Sequence, residues 1–396
     1  MPSAVYILGL AIFAQGTSEM MLSGLLTEMS ADLGVSVPQA GLLISAFAVG
    51  MLIGAPISAI VTTCWSRRAA LTAFLAIFIV THALAALTSD YRILIATRVV
   101  GAFVYAGFWA VASATVIGLV PATARGRAMS VMAGGLTVAT ILGLPAGTFI
   151  GQQLGWRAAF WAVAAVCALV LIAVVVAVPN QRAGEVTSVR KELRALATGP
   201  VALLYGTTMV ATAALLVTFG YLGALLTETT GVGDSWVPVI LGIYGFGSLV
   251  GIAVGGRSAD AHPTRNLVIG LSGLVLSSVL LASTAHYWPA VVVSAFLLGA
   301  FGFGTNPVLN SRVFGLAPGS GTLGAAGNVM SFNVGITLGP WLGGLAIGGG
   351  MGYPAVAWIG ALLGVVALGP VFLSRSVERS VRTADTEVPE GVPAEL

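Results

Sequence analysis

The chain has 396 residues, of which 57% are hydrophobic and only 8% are charged, and its mean hydropathy is +1.00. A soluble domain carries about 25% charged residues, so this composition excludes a globular protein with a water-facing surface. The formal net charge of +3 comes from loop arginines and does not indicate a nucleic-acid partner. Cys64 and Cys167 are far apart and belong to no CxxC pair, so we expect neither a disulfide framework nor a metal site.

Apolar runs of roughly 18–25 residues recur along the chain, each long enough to cross a bilayer as a helix. We count twelve such runs, so the sequence predicts an all-α membrane protein embedded in the lipid bilayer. The first run has no preceding Lys or Arg and no small-residue cleavage site, which is typical of a spanning helix and not of a signal peptide. The predicted spans are 4–27, 37–62, 69–87, 92–119, 128–151, 158–178, 201–226, 236–256, 267–285, 288–311, 322–346 and 354–374.

The first predicted span contains a single acid, Glu19, within the stretch FAQGTSEMML. A carboxylate inside a bilayer costs about 2.5–3.5 kcal/mol on insertion scales, so such residues are functional hypotheses by default. Gln15 lies four residues before it and Ser23 four residues after it, which places a polar stripe on one face of the helix. No other predicted span contains an acid.

The fourth predicted span contains Arg98, with Tyr105 seven and Trp109 eleven residues later. At 100° per residue these three side chains lie within about 20° of one line. Glu19 and Arg98 lie roughly 12 and 9 Å from the same membrane side, at 1.5 Å per residue. Opposite charges at similar depth suit a buried pair, because a lone ion there would cost far more. We therefore predict that these two residues couple a proton; the alternative is a static bridge between two helices.

Other polar and aromatic side chains in the spans are candidates for substrate contact. Gln15 is one candidate, and Tyr105, Trp109 and, less directly, Phe108 would form an aromatic wall for a flat, partly apolar compound, although aromatic clusters in membrane helices more often serve packing. Amide side chains in lipid need partners, so the asparagines either bond between helices or bind the substrate. They are Asn306 and Asn310 on one face of the tenth span and Asn328 on the eleventh. His82, in the third span, is expected to be a hydrogen-bonded packing residue.

The distribution of charge between loops predicts the orientation of the chain. Most of the 17 basic residues fall on one side of the predicted spans, and the opposite loops hold mainly acids. Cytoplasmic loops collect Lys and Arg, so we expect the N- and C-termini to be cytoplasmic.

The sequence also repeats itself. LLTE occurs at 25–28 and at 225–228, and VP at 37–38 and at 237–238, both at an offset of 200 residues. The repeat predicts a parallel duplication of a six-helix unit, a plan in which transporters bind substrate between the halves. The predicted organisation is an N-terminal six-helix bundle (1–178), a cytoplasmic linker (179–200), a C-terminal six-helix bundle (201–375) and a disordered cytoplasmic tail (376–396).

Several motifs in this frame resemble one family. They are TRVVGA around Arg98, GLPAG (143–147) followed by GWRAAF (155–160), and GRSAD (256–260) followed by Arg265. Together they resemble the major facilitator superfamily, in particular its twelve-span drug:proton antiporters. The stretches YILGLAIFAQGTSEMMLSGLL and DLGVSVPQAGLL are most similar to actinobacterial chloramphenicol exporters.

The resemblance implies proton-driven efflux of a small neutral or amphipathic compound, with chloramphenicol and its analogues first. It further implies a monomer in the bacterial inner membrane, without enzymatic activity or a cofactor. Gly143, Pro145 and Gly147 would set a kink and close packing in the fifth span. Two loop motifs would act in gating, although the first has Thr63 in place of the usual acid. The gating residues implied are Arg67, Arg68, Arg257, Asp260 and Arg265.

Other functions stay open at this stage. Export of sugars or nucleosides would suit the asparagines, although it suits the aromatic stripe less well. An intramembrane enzyme would need clustered carboxylates, a His-rich metal set or a nucleophile–base pair, which the spans do not supply. A channel or a non-transporting sensor fits the two-fold repeat and the gate-like loop motif poorly.

Overall fold

The computed structural model describes residues 1–61, 65–121, 124–180, 198–258, 262–316 and 321–386. Within these ranges the chain is helical and contains no β-strand. Twelve of its helices are long and apolar enough to cross a membrane, which confirms the predicted all-α, twelve-span fold. Numbered 1 to 12, these spans are Ser3–Gly24, Val37–Ala55, Arg67–Leu87, Tyr91–Leu119, Arg127–Leu154, Trp156–Ala177, Gly199–Glu228, Asp234–Arg257, Pro263–Ser283, Trp288–Val313, Gly327–Gly348 and Pro354–Phe372.

Four of the spans change their helical geometry along their length. Spans 1 and 7 break at equivalent places in the repeat, and span 10 breaks at Thr305, just before Pro307. Span 5 widens into one π-helical turn immediately before Pro145, whose ring could not be accommodated in a regular turn. The helical segments along span 1 are Ser3–Met20, Met21–Gly24 and Leu26–Leu33, and those along span 5 are Arg125–Val138, Ala139–Gly143 and Leu144–Leu154. The segments along span 7 are Gly199–Phe219 and Leu222–Glu228, and those along span 10 are Trp288–Gly304 and Asn306–Leu316.

The remaining helices are continuous, and three extend beyond the apolar core of their spans: Val37–Val61, Val237–Ser258 and Gly321–Gly348. The last helix runs from Pro354 to Thr386. Residues 376–386, which the sequence predicts as disordered, are therefore helical, because extending an existing helix needs no new nucleus. Residues 387–396 and most of the predicted linker lie outside the described ranges.

The two halves of the molecule have the same internal packing. In each half the first span packs against the fifth and sixth, the second against the fourth, and the third against the fourth and sixth. Spans 1–6 and 7–12 therefore form two equivalent six-helix bundles, as the repeat in the sequence predicts. The contacts between the halves follow the same symmetry, since span 2 packs on span 11 and span 5 on span 8.

An even number of spans places both ends of the chain on one face, here called the terminal face; the other is the loop face. The halves are tightly packed near the loop face. A Cβ atom at Gly41 of span 2 would lie only 2.2 Å from the Tyr221 hydroxyl oxygen of span 7. Ser45 of span 2 donates a hydrogen bond to the Thr337 carbonyl of span 11 at 2.8 Å. The seam between the bundles is thus closed at this level.

Candidate functional site

The Arg98 guanidinium is buried within the first bundle, where span 4 meets spans 1, 2 and 6. Its side chain is 2% exposed. Nη1 donates to the Ser18 hydroxyl at 2.8 Å and Nη2 to the Ser18 carbonyl at 3.2 Å. The guanidinium carbon lies 4.2 Å from the centre of the Phe47 ring and 6.0 Å from that of Phe160. Two hydrogen bonds and two aromatic rings compensate part of the cost of burying this cation.

The hydrogen bonds continue from Ser18 to His82 in span 3. The Ser18 Oγ lies 2.6 Å from His82 Nε2, and His82 Nδ1 lies 2.8 Å from the Phe78 carbonyl oxygen. A carbonyl can only accept, so Nδ1 carries the proton, and a neutral ring then accepts at Nε2. The chain therefore runs in one direction, from Arg98 through Ser18 and His82 to the backbone.

The Glu19 carboxylate is not part of this chain. It is half-buried, whereas Arg98, Ser18 and His82 are buried. Arg98 acts on it electrostatically, but within the described ranges the carboxylate makes neither an ion pair nor a hydrogen bond. The sequence placed the two charges at similar depth, and the structure brings them near each other. It does not join them directly, because the guanidinium is held by the preceding residue on the helix.

The predicted aromatic stripe lies beside this network. Tyr105 is 1% exposed and packs against Phe47, Phe78 and Trp109, with ring centres 6.1–6.4 Å apart. Trp109 is half-buried, so it retains surface that Tyr105 does not. Gln15 is fully buried; its amide nitrogen donates to the Ala11 carbonyl, and its Oε1 has no partner among the described residues. Of Gln15, Tyr105 and Trp109, only Trp109 is accessible in this conformation.

The Gly-Pro motif of span 5 packs directly on span 1. A Cβ atom at Gly143 would lie 2.0 Å from Thr17 Oγ1, and one at Gly147 would lie 2.8 Å from Met21 Cβ. Because these partners are four residues apart, both glycines contact one face of span 1, and Glu19, about 200° around the helix from Thr17, lies on the opposite face. Pro145 faces the second bundle, 3.7 Å from a Cβ built at Gly242. The motif therefore sets how closely span 5 packs on span 1 and on the second bundle.

In the second bundle the asparagines bond to one another. Thr208 Oγ1 donates to Asn328 Oδ1 at 3.1 Å, and Asn328 Nδ2 donates to Asn310 Oδ1 at 2.9 Å. Asn310 Nδ2 in turn donates to the Asn306 carbonyl at 2.9 Å. Asn328 is 1% exposed, whereas Asn310 is exposed. This chain links spans 7, 11 and 10, which is one of the two roles the sequence left open; exposed Asn310 keeps the other available.

The residues assigned to gating lie near the terminal face. Arg67 is half-buried and donates from Nη1 to the Ala114 carbonyl at 2.9 Å, which ties the start of span 3 to span 4. Arg68 is half-buried, and Arg257 and Arg265 are exposed. Asp260 lies outside the described residues, so the predicted charge network around it stays a prediction.

His82 is a hydrogen-bonded packing residue, as the sequence predicts, but its link to Arg98 was not foreseen. Sequence reasoning missed Ser18 and an ionic contact at the loop face. Arg157 forms an ion pair with Asp32, and the Trp156 indole nitrogen donates to the same carboxylate oxygen at 3.0 Å. Arg157 also lies 4.3 Å from the Trp156 ring centre. The sequence did contain a signal for this ion pair, since Asp32 and Arg157 fall on the same predicted side of the membrane. In the part of the chain that the structure describes, no group of three or more metal-ligating side chains is present.

Comparison with known proteins agrees with this architecture. A model of the Major Facilitator Superfamily matches residues 8–233 and 204–394. The chain is 39% identical over 389 residues to a chloramphenicol resistance protein of Streptomyces lividans, covering 97% of this chain and 99% of that protein. It is 32% identical over 367 residues to the inner membrane transport protein YdhP of Escherichia coli K12, covering 93% and 94%.

Solved structures share the fold at low sequence identity. A D-xylose–proton symporter superposes with a TM-score of 0.74 at 15% identity, covering 92% of this chain and 95% of the symporter. A bacterial homologue of the human lysosomal transporter Spinster, in an inward-facing and unoccupied conformation, gives 0.68 at 17% identity, covering 94% and 95%.

Proposed function

Because the chain belongs to the Major Facilitator Superfamily, we propose that it is a proton-coupled exporter of small neutral or amphipathic compounds, chloramphenicol and related antibiotics first. The observation that carries the substrate class is the 39% identity, over nearly the whole chain, to a chloramphenicol resistance protein. The fold and the relatives are those of membrane transporters, which need no cofactor.

Glu19 is the proton-coupling group in this proposal. It is half-buried and bonded to no described residue, so its carboxylate is free to exchange a proton or to meet a substrate. The low polarity of the bilayer favours the protonated acid, and the field of Arg98 favours the carboxylate. A group balanced in this way takes up a proton on one side and releases it on the other as the bundles rock.

One acid balanced by one arginine also limits the cargo. The pair leaves no net negative charge in the first bundle to attract a multiply charged cation, and the neighbouring surface is aromatic. A flat, uncharged compound that stacks on Trp109 fits this surface, with the exposed Asn310 amide as a hydrogen-bonding group from the second bundle.

The orientation follows from the charges. We propose that the terminal face is cytoplasmic, because Arg67, Arg257 and Arg265 lie there, while Asp32 and Glu28 lie at the loop face. The protein would then act as a monomer in the bacterial inner membrane. The closed seam at the loop face would correspond to a state closed toward the outside.

Uptake of labelled chloramphenicol in efflux-deficient cells tests the proposal. Cells expressing the wild type should accumulate less drug than cells expressing Glu19→Gln, with membrane levels matched. Collapse of the proton gradient should raise accumulation in the wild type to the level of the variant. Glu28→Gln, at the loop face, serves as the control and should export as the wild type does.

Two results would contradict parts of the proposal. Equal export by the wild type and Glu19→Gln would make Glu19 a structural acid and place coupling elsewhere. No export by either would reject the phenicol assignment while leaving the transporter fold, and sugars and nucleosides would be tested next, because the Thr208–Asn328–Asn310 chain offers polar groups to such cargo.

A further inference from the structure

His82 is a buried titratable group that the proposed coupling step does not use. It is 3% exposed and stacks on Phe78 with ring centres 4.1 Å apart. Both its nitrogens are bonded, one to a backbone carbonyl and the other to the Ser18 hydroxyl. A histidine that served packing alone would need neither a link to the arginine network nor a fixed tautomer.

Ser18 is the point where the histidine and the arginine meet. Its hydroxyl has one proton, which it donates to His82 Nε2, and this leaves its oxygen lone pairs directed toward Arg98 Nη1 at 2.8 Å. If His82 did not accept that proton, the hydroxyl would rotate to another acceptor, such as a carbonyl one turn earlier. The orientation of Ser18, and with it the bond to Arg98, therefore depends on His82.

The competing partner for Arg98 is Glu19, the residue that follows Ser18 on span 1. Glu19 acts on Arg98 electrostatically, and Arg98 Nε is buried without a hydrogen-bond partner among the described residues. The guanidinium thus has donor capacity that a carboxylate could satisfy. We propose that His82, acting through Ser18, holds the Arg98 guanidinium off the neighbouring carboxylate and so keeps that acid free to take up a proton.

This inference deepens the proposed function, because it rests on Glu19 as the coupling group. The titratable groups in electrostatic contact with Glu19 or Arg98 come from spans 3 and 4: Arg98 acts on Glu19 and on His82, and Glu19 acts on Arg98 and on Tyr105. From spans 2 and 6 the described neighbours of Arg98 are the rings of Phe47 and Phe160. If Arg98 turns toward the Glu19 carboxylate, no other described cation takes its place at Ser18.

Carbodiimide labelling of Glu19 measures the effect without any drug or gradient. Dicyclohexylcarbodiimide reacts with protonated carboxyl groups in membranes, and purified Glu19→Gln gives the background. In Ser18→Ala and His82→Phe, Arg98 Nη1 loses its bond to the Ser18 hydroxyl, while Nη2 keeps the Ser18 carbonyl. The freed Nη1 can then turn toward Glu19 and stabilise the carboxylate. The pH of half-maximal labelling should fall by about one unit, the lower end of the effect of an adjacent arginine, with roughly tenfold slower labelling at neutral pH.

Two further variants separate positioning from packing. Thr81→Val removes a buried hydroxyl that bonds the same Phe78 carbonyl as His82 but does not touch Ser18, so its labelling should match the wild type. His82→Gln keeps an acceptor near the Nε2 position and should restore the half-point at least in part. Ser18→Ala loses only a hydroxyl, so it carries the test if His82→Phe does not fold.

The outcomes are distinct. Equal labelling half-points in the wild type, Ser18→Ala and Thr81→Val would overturn the positioning role. A shift in Ser18→Ala and His82→Phe, with recovery in His82→Gln, would support it. If that shift occurs while Glu19→Gln still exports drug, the positioning role stands and the assignment of Glu19 as the coupling group fails.

Discussion

The two bundles share one packing pattern but differ in the polar groups that they bury. Within its spans the first bundle buries a cation, Arg98, held by Ser18 and His82. The second bundle contains a chain of neutral groups in which Asn328 bonds to Thr208 and Asn310. The two copies thus share their helix arrangement, while the buried charged side chain that the structure describes, Arg98, lies in the first copy.

The same difference recurs at the loop face. In the first bundle Asp32 and Arg157 form an ion pair next to Trp156. In the second bundle Thr230 donates to the Ala285 carbonyl at 2.7 Å, and Tyr353 occupies the place of Trp156 in the repeat. Under the proposed function this difference would be a division of labour, in which the first bundle carries the proton and the second offers neutral hydrogen-bonding groups to the cargo.

Removing Arg98 should have the largest effect. Arg98→Ala removes the only described cation within hydrogen-bond reach of Ser18 and leaves Glu19 without its counter-charge, so we expect loss of transport. The substitution also leaves the buried Ser18 hydroxyl oxygen without its donor, and an unsatisfied buried polar group costs about 1–3 kcal/mol, so the thermal stability of the purified protein should fall as well. Initial rates of drug export and thermal unfolding in detergent measure the two effects.

Arg98→Lys is the matched variant. A lysine keeps the charge but lacks the planar pair of nitrogens that reaches the hydroxyl and the carbonyl of Ser18 together. Stability should recover in part, and transport should not. Full transport by Arg98→Lys would show that charge alone is required and would weaken the contrast between the bundles.

Glycine packing, by contrast, should be equally sensitive in both bundles. A Cβ atom at Gly143 of span 5 would lie 2.0 Å from Thr17, and one at Gly339 of span 11 would lie 2.8 Å from the Val217 nitrogen. Overpacking of this kind costs about 1–3 kcal/mol, so Gly143→Ala and Gly339→Ala should both lower the unfolding temperature. Thermal unfolding of the two variants in one detergent makes the comparison.

Gly134 provides the control on span 5, since no atom lies within 4 Å of a Cβ built there. Gly134→Ala should be neutral or stabilise the helix, because alanine is favoured over glycine in helices by about 0.5–1 kcal/mol. If only the first-bundle glycine proved sensitive, the packing symmetry of the halves would not extend to their energetics.

Periodicity and repeats in the sequence were enough to predict the twelve helices and their duplication, because a bilayer leaves the backbone few alternatives to helix. The 200-residue offset likewise predicted two equivalent bundles. The break at Thr305 and the π-turn before Pro145 could not be placed, since they depend on how neighbouring helices accommodate a missing N–H and not on hydrophobicity.

The sequence singled out Glu19 and Arg98 because each is an ion within an apolar run, and their role in proton coupling stays a prediction. Ser18 was not singled out, and His82 was expected only as a hydrogen-bonded packing residue. The reasoning compared residues along single helices, and a hydrogen bond between spans 1 and 3 leaves no periodic trace. Arg98 bonds to Ser18 and not to Glu19, the next residue on span 1. A depth estimated from helix rise cannot distinguish two adjacent residues.

Breaking the neutral chain of the second bundle should have a smaller effect than removing Arg98. Asn328→Ala removes the bonds to Thr208 and Asn310, and side-chain hydrogen bonds between membrane helices average about 0.6 kcal/mol each. We expect a loss of about 1 kcal/mol in unfolding free energy and a modest change in the apparent affinity for the drug. Transport kinetics over a range of drug concentrations, with unfolding in detergent, measure both.

Thr208→Val separates structure from binding, because it removes the buried bonds of the Thr208 hydroxyl to Asn328 and to the Leu204 carbonyl and leaves Asn328 bonded to exposed Asn310. If Asn328 serves packing alone, the two variants should alter stability and leave the apparent affinity unchanged. A loss of transport as complete as in Arg98→Ala would contradict the division of labour between the bundles.

Breaking the ion pair at the loop face should have the smallest effect, and the size of that effect should depend on pH. A hydrogen bond from Arg157 holds the pKa of Asp32 below its ordinary value, with a further contribution from Trp156. The contact therefore stabilises the protein above the ordinary pKa of about 3.9, and this is lost as the pH falls through the lowered value. Both side chains are partly exposed, at 31% and 44%, so the contribution is at most about 1 kcal/mol.

Asp32→Asn should accordingly lower the unfolding temperature slightly at pH 7, and the difference from the wild type should shrink below about pH 3.9 as the wild-type aspartate is protonated. Asp234→Asn, an exposed acid at the same face of the second bundle that forms no ion pair among the described residues, is the matched control. Thermal unfolding of the wild type and the two variants, at pH 7 and below about pH 3.9, measures this difference. A pH-dependent loss in Asp234→Asn as large as in Asp32→Asn would show that the loop face of the second bundle also depends on charge.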